Sequence, residues 1–395
     1  MKKGSFSLMK KTNQRLVLRI IQKEGQVSRS GLVEKTGLVP ATVSKIVREL
    51  LRLELIKEVS RGESRGGRKP ILIELNPDGA YFIGLEWGIA EIKAILLNFK
   101  FKVIDFAKIT MDNRTPANYI RHSVGLIKNY SRLVNQPEKI YGVGIGLHGL
   151  VQVEQGISLY APHFNWENIR LKSMIEELIV QPVFLDNDVR VMALAENWHG
   201  QGRDFADFVF INTGLGIGAG IVLKHKLHYG NDGVAGEFGH MSIVNERIEC
   251  SCGNYGCLEA LISTEKLLIK YNQGRRKKRT VDQLKSEWQG LIKAAAAGNC
   301  QAVKILAEAA EHLGTGIANI FNLINPQAVI IGGDFLQAGP LLLPLIKQQT
   351  EKKVLRVLKD RVKVYPTAFG EQIGAIGSAT LAMQDLLRLE RQQSK

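Results

Sequence analysis

Apolar residues recur at helical spacing near the start of the chain. Leu16, Val17, Ile20 and Ile21 follow Thr12 and Asn13, both good caps, and Gly25 stops the run. The spacing predicts a helix over 12–24. Ser28 can cap a short second helix with Leu32 and Val33 inward, closing at Thr36-Gly37. Leu38-Val39-Pro40 reads as a tight turn, with Pro40 at a first helical position, where a missing N–H is tolerated. In a third helix, Val43, Ile46, Val47, Leu50 and Leu51 form one buried stripe. Two strand-like runs follow, 55–59 and 71–75. Asn76-Pro77-Asp78-Gly79 is a strong turn signal and marks the expected domain boundary.

From Tyr81 the pattern changes to short apolar runs separated by glycines and helical stretches. Strands are expected at 81–85, 92–98, 141–147, 183–185, 208–211, 220–223, 328–331 and 362–365. Helices are expected near 116–133, 188–199, 258–270, 301–323 and 371–391. Such alternation predicts α/β architecture.

Composition adds bounds. With 395 residues, 45% of them hydrophobic and 23% charged, the chain is long and apolar enough for a large core. No apolar run reaches the ~18 residues of a membrane span. Arg19 interrupts the apolar stretch near the N-terminus, so no signal-peptide core is read there. A cytoplasmic protein without membrane contact is expected.

Charge is uneven. The net charge is +15, and residues 1–80 hold 17 Lys and Arg against 8 Asp and Glu. A basic segment of this kind suits a polyanion or simply a solvated surface. On the third helix, the face opposite the stripe presents Ala41, Ser44, Lys45, Arg48 and Arg52, beside Thr42. A recognition helix needs small polar residues at base edges and cations at phosphates. A bundle helix would also expose cations, but a helix, short turn and helix with this basic face favours DNA. Between the strand runs lies Arg61-Gly62-Glu63-Ser64-Arg65-Gly66-Gly67-Arg68-Lys69-Pro70. It reads as the wing of a winged helix-turn-helix. Its glycines would let Arg65 and Arg68 enter a minor groove, with Lys69 beside them; phosphate contact alone is the simpler alternative.

Candidate chemistry lies further on. Phe210 to Gly220 is a strand running into alternating glycines, either a phosphate loop or a plain glycine-rich turn. His240, Cys250, Cys252 and Cys257 make a complete four-ligand set of the kind zinc takes tetrahedrally, so a structural zinc is expected. Cys300 stands apart and reads as a buried apolar residue. Asn187 and Asp188, at a strand end entering a helix, could bind sugar hydroxyls or merely cap the helix. The run Arg275 to Arg279 reads as a solvated loop rather than an auxiliary DNA contact.

These motifs together resemble the ROK family (repressors, open reading frames and kinases) over essentially the whole length. They include Glu237-x-Gly-His240, the Cys250-x-Cys252-Gly-x2-Gly-Cys257-x-Glu259 segment, Asn187-Asp188, and Asn325-Pro326 followed by Ala328 to Gly333. The N-terminal winged helix is similar to that of the repressor branch, and the wing to that of its xylose-repressor-type members. The resemblance implies an actin-like, hexokinase-like (ribonuclease-H-like) domain of two α/β lobes with a cleft between them. Expected domains are 1–78 for DNA binding and 79–395 for the ROK domain. The small lobe would take about 79–187 plus the helix near 371–391, and the large lobe about 188–370.

By the same resemblance, Asn187, Asp188, Glu237, His240 and Glu259 touch a sugar, and Asp188 matches the kinase base. His240 would use one ring nitrogen for zinc and the other for sugar. The sequence departs from the kinase pattern at Glu86-Trp87-Gly88-Ile89-Ala90, where kinases carry Asp-x-Gly-Gly-Thr. Ile89 is expected to strain a positive-φ turn, and Ala90 offers no hydroxyl to phosphate. Pro162-His163-Phe164-Asn165 departs as well, where many members have Pro-Asn-Leu. The expected function is a sugar-responsive repressor with no catalytic residue. It would bind operator DNA and a sugar or sugar-derivative effector as a homodimer or homotetramer. The rivals are an active sugar kinase with a DNA-binding head, and a repressor answering to a phosphosugar or a partner protein.

Overall fold

The computed structural model describes residues 12–61, 71–134, 136–274 and 279–387. The chain divides into two units. Unit 1 is 1–186 with 378–395, and unit 2 is 187–377.

Unit 1 begins with the head. It runs α1 (Thr12–Glu24), β1 (Gln26–Ser28), α2 (Arg29–Thr36), α3 (Pro40–Arg52), β2 (Ile56–Arg61) and β3 (Ile71–Leu75). Ser28 caps α2 by accepting the Gly31 N–H, and Gly37 ends it at φ 68°. α3 buries Val43, Ile46, Val47 and Leu50; Leu51 is only half-buried. Gln14 of α1 is buried and donates to Glu49 of α3 at 2.6 Å, which fixes the two helices against each other. The three-residue β1 is too short for a periodic signal. It forms because β3 offers it an edge, giving the order β1-β3-β2.

The rest of unit 1 is built on a five-stranded sheet. Its strands are β4 (Tyr81–Trp87), β5 (Glu91–Asn98), β6 (Val103–Thr110), β7 (Ile140–Leu147) and, at its far edge, Val183–Asn187. The helix α4 (Pro116–Leu133) packs on β4 and β5. A small sheet of β8 (Leu150–Gln152), β9 (Ile157–Ala161) and β10 (Trp166–Ile169) follows, then α5 (Leu171–Glu176) and β11 (Val183–Asn187). The main order is β11-β7-β4-β5-β6, with β4 and β7 parallel. β6 was not expected. It is an edge strand whose residues are mostly exposed, so apolar alternation does not mark it.

The head is tied to this lobe through Glu54 and through Glu74, which takes the Lys100 ammonium at 2.7 Å. Glu54 lies at φ 58° just after α3. Its carboxylate takes the Lys139 ammonium at 2.6 Å, and its carbonyl takes the Asn76 amide at 2.7 Å. A Cβ on Gly79 would sit 2.4 Å from that carbonyl, so the approach requires glycine.

Unit 2 holds a second five-stranded mixed sheet. Its elements are α6 (Asp188–His199), β12 (Phe208–Thr213), β13 (Ile217–Leu223), β14 (Lys226–Leu227), α7 (Leu258–Ile262), α8 (Thr264–Tyr271), α9 (Val281–Ala296), α10 (Cys300–Ile324), β15 (Ala328–Gly333), α11 (Gly339–Lys353) and β16 (Val364–Pro366). The strand order is β14-β13-β12-β15-β16. A final helix, α12 (Ile373–Leu387), carries the chain back into unit 1.

Several features of unit 2 differ from the pattern reading. The helix expected over 258–270 breaks at Ser263, whose ψ of 149° is not helical. α9 and α11 were not expected. α11 opens on Gly339-Pro340 and contains Pro344, which read as breakers. α9 does have a sequence signal, since Thr280 and Gln283 form a reciprocal capping box. Cys300 is exposed at the start of α10 rather than buried, because its helix turns that first position outward. Among the described residues, no helix is long and apolar enough to cross a membrane.

Candidate functional site

The DNA face predicted on α3 is presented outward. Ala41, Lys45, Arg48 and Arg52 are exposed, while Thr42 and Ser44 are half-buried. The buried stripe and the Gln14–Glu49 bond leave this face no other orientation in the head. Arg65, Arg68 and Lys69 lie outside the described residues, as do Arg275, Arg276, Lys277 and Lys278. Arg279 is described. Its side chain is only 3% exposed and pairs with Glu287 at 2.9 Å, so this end of the cation run is packed, not solvated.

His240, Cys250, Cys252 and Cys257 converge in unit 2, with their donor atoms all within 4.8 Å of one another. Cys250 Sγ lies 3.6 Å from His240 Nδ1, and Cys252 Sγ lies 3.8 Å from Cys257 Sγ. Tetrahedral bonds of ~2.3 Å to sulfur and ~2.0 Å to nitrogen set ligand separations of about 3.5–3.8 Å. The donor set therefore fits one metal ion. Backbone geometry builds it. Gly253 (φ 89°) and Gly256 (φ 69°) turn the loop, and a Cβ on Gly256 would lie 2.2 Å from the Val244 carbonyl. Without an ion, burial and then the neighbouring Cys252 and Cys250 push the Cys257 thiol up to about 12. A cation relieves that cost by taking the thiolate as a ligand.

The sugar candidates of unit 2 gather around this loop and around β13. His240 turns Nε2, not its metal-facing Nδ1, toward Glu237, 3.9 Å from Oε2. Glu259 accepts the Ile217 N–H at 3.0 Å and the Ser251 hydroxyl at 3.4 Å, tying the start of β13 to the cysteine loop. Asn187 does cap α6, accepting from the Val189 and Arg190 amides at 2.9 and 3.1 Å. Asp188 opens that helix half-buried and accepts the Val189 N–H at 2.9 Å. The first turn of α6 rests on Gly218, where a Cβ would lie 3.0 Å from Val189. Sequence reasoning missed Arg190. It is 4% exposed, donates to the Gly233 carbonyl at 2.6 Å and stacks over Tyr229, so it holds the loop that leads to Glu237. Its partners lie some forty positions away, and no local motif signals them.

In unit 1 the 86–90 hairpin is closed on itself. Trp87 is fully buried and donates to Ser123 at 3.0 Å. The Tyr119 hydroxyl donates to the Gly88 carbonyl at 2.8 Å. Glu86 pairs with Lys93 at 3.3 Å. The expected strain at Ile89 is absent, because none of residues 86–90 has positive φ. The hairpin adopts a turn that L-residues accept. Phe164 packs into the same aromatic cluster, at 5.3 Å from Tyr119 and 4.6 Å from Trp166. His163 stands beside His148, their ring centroids 4.7 Å apart.

Residues 82–385 match the ROK family, and residues 11–57 match a winged helix-turn-helix DNA-binding family. The xylose repressor of Caldicellulosiruptor bescii is 32% identical over 97% of this chain and 98% of that protein. The DNA-binding transcriptional dual regulator NagC of Escherichia coli K12 is 30% identical over 97% and 95%. Among solved structures, a ROK family transcriptional regulator homologous to the E. coli MLC protein superposes with a TM-score of 0.82, at 30% identity, covering 96% of each chain. A ROK family glucokinase from Streptomyces griseus, solved with glucose and AMPPNP, gives a TM-score of 0.67 at 27% identity, covering 77% of this chain and all of that one. The chain belongs to the ROK family and carries a winged helix-turn-helix DNA-binding segment ahead of the family domain.

Proposed function

We propose that this protein is a sugar-responsive transcriptional repressor that does not transfer phosphate. The observation that carries the reading is the exposed cationic face of α3, held outward on a chain whose remainder is a ROK domain. Residues 1–78 form the DNA-binding domain and 79–395 the effector domain. Thr42, Ser44, Lys45 and Arg48 meet operator DNA, with Arg65, Arg68 and Lys69 of the wing. Asn187, Asp188, Glu237, His240 and Glu259 bind the sugar. A structural zinc on His240, Cys250, Cys252 and Cys257 holds the loop that begins at His240 and ends just before Glu259. The chain works as a homodimer or homotetramer in the cytoplasm, since two half-sites about one helical turn apart need two heads.

The donor set supports zinc in a structural role, because protein fills all four positions and leaves none for substrate water. Repressor relatives that span nearly the whole chain support the regulator reading. The sugar acts by preferring one of two states that differ in operator affinity. A preference of ~1–3 kcal/mol changes that affinity about 5–150-fold.

A thermal-shift screen over free sugars and phosphosugars tests this reading. A true effector at about 100 Kd adds about 2.7 kcal/mol of stability and raises the midpoint. Asp188→Asn should erase the shift while operator binding in a gel-shift titration is kept. ATP-dependent phosphorylation of any sugar, lost in Asp188→Asn, would make the chain a kinase instead.

A further inference from the structure

Modules of one chain usually turn about a flexible linker unless a broad apolar face holds them. Within unit 1, the joint between the head and its lobe is built differently. The linker is gripped from both sides. On the head side, the Asn76 N–H donates to the Leu55 carbonyl at 2.9 Å. On the lobe side, the Phe99 N–H donates to the Pro77 carbonyl at 3.1 Å, and the Tyr81 hydroxyl donates to Asp78 at 2.9 Å. Two ion pairs flank this linker. β4 continues from it, with β7 and β5 as its neighbours in the sheet. Lys139 directly precedes β7 and takes Glu54, just after α3; Lys100 follows β5 and takes Glu74 of β3. We propose that Glu54–Lys139 and Glu74–Lys100 are positioning pairs for operator binding, which stop the head from swivelling about its linker and let the lobe aim α3. This rests on the repressor reading and names what orients its DNA face.

The pairs are unequal. The Glu54 side chain is 61% exposed, and an ion pair so wet is weak by itself. The Glu74 side chain is only 10% exposed, and a carboxylate taken out of water needs partners. It has three. Gln26 of β1 donates at 3.0 Å, Lys57 of β2 lies at 3.5 Å, and Lys100 lies at 2.7 Å. Burial pushes the Glu74 carboxyl up, but the Lys100 and Gln26 hydrogen bonds and the two ammonium charges outweigh it and hold it below its usual range. Gln26 and Lys57 both stand opposite Glu74 in the head sheet, so all three head strands meet at this carboxylate. Lys100 alone of the three reaches it from the lobe. The turn that presents Lys100 is itself fixed. Buried Asn98 accepts the Lys100 and Lys102 N–H groups, each at 3.0 Å. A linker alone permits rotation about the chain, whereas ties on both sides of it resist that rotation. Two heads held in this way present their recognition helices at one separation, which suits one spacing of half-sites.

The test uses the full chain and a duplex that the wild-type protein selects from a random-sequence DNA pool. The variant combines Lys100→Met with Lys139→Met. Methionine keeps an apolar stem and removes the ammonium, and Glu74 retains Gln26 and Lys57, so no buried charge is left unpaired. Each base pair added or removed between the half-sites shifts them by about 3.4 Å and turns them by about 34°. When the spacing changes by two base pairs, wild type should lose about tenfold or more in gel-shift affinity, and the folded double variant about threefold or less. Lys100→Met alone serves if the double variant does not fold, and its loss should fall between the two. A folded variant that keeps the wild-type spacing preference overturns the proposal, and so does a wild-type protein that tolerates every spacing; the repressor reading survives both. A lower thermal midpoint with that preference intact marks the pairs as merely structural and also overturns it. If wild type selects no sequence, or a lone half-site, the two-headed repressor reading falls and takes the proposal with it.

Discussion

Cys257→Ser should reduce the bound metal from about one ion per chain to almost none, and with it remove the response to effector. The side chain is fully buried and immediately precedes α7. Its Sγ is 3.8 Å from that of Cys252, so a missing thiolate opens the tetrahedron rather than loosening its rim. Serine is a poor ligand for a soft-leaning ion. Once the ion leaves, His240 and Cys250 lose their common partner, and the loop from 240 to 257 is left to its backbone bonds and the hydroxyl contacts of Ser242 and Ser251. Glu259 follows two residues later on α7, so both the loop and its tie to Ile217 are disturbed. Zinc-finger peptides gain ~10–16 kcal/mol from their ion because the whole fold depends on it. Here one loop of a larger unit depends on it, and a loss of ~2–4 kcal/mol is expected, or roughly 5–15 °C in the midpoint. Elemental analysis, thermal unfolding and an effector titration read the three effects. A folded variant that has lost its metal and still answers to sugar would refute the structural role. Operator binding without effector should survive, since the head lies in unit 1.

Lys45→Ala combined with Arg48→Ala should weaken operator binding roughly a hundredfold at physiological salt. Both side chains are exposed on the face of α3 opposite Val43, Ile46, Val47 and Leu50. If both contact phosphate, the slope of log affinity against log salt should flatten by about two. If Arg48 reads a base edge instead, the flattening is smaller and one operator position loses its preference. Effector binding should be untouched, because its candidate residues lie in unit 2. A double variant with wild-type operator affinity and salt slope would remove this face from the interface. Neither substitution touches the buried stripe, so unfolding is not the expected cause of any loss.

Much of the candidate chemistry is readable in one dimension. The metal set lies between His240 and Cys257, close enough along the chain for spacing alone to suggest a shared ion. The head is legible for the same reason. Its caps at Ser28 and Gly37 and the stripe of α3 are local signals, and the helices form where those signals sit. The signals fail where a neighbour far along the chain decides. β6 is a strand because β5 pairs with it, not because its own residues alternate. α11 forms through Pro344 because α10 packs along it. The 86–90 hairpin illustrates the reverse. The resemblance to the kinase pattern implies strain at Ile89, whereas the fold uses a turn without positive φ and secures it with Tyr119 from α4.

The order of residues is enough to specify the local devices: caps, an apolar stripe opposite a basic face, a glycine bend and a four-ligand cluster. Each depends on residues within a few turns of one another, and backbone geometry alone relates them. Which groups face those devices is settled only in three dimensions. Arg190 reaches Gly233 across 43 positions, and Thr264 reaches Asp334 across 70. Such pairings are set by how strands order themselves in a sheet and which loops that order brings together. They carry no periodic trace, because a hydrogen bond acts through space and not along the chain.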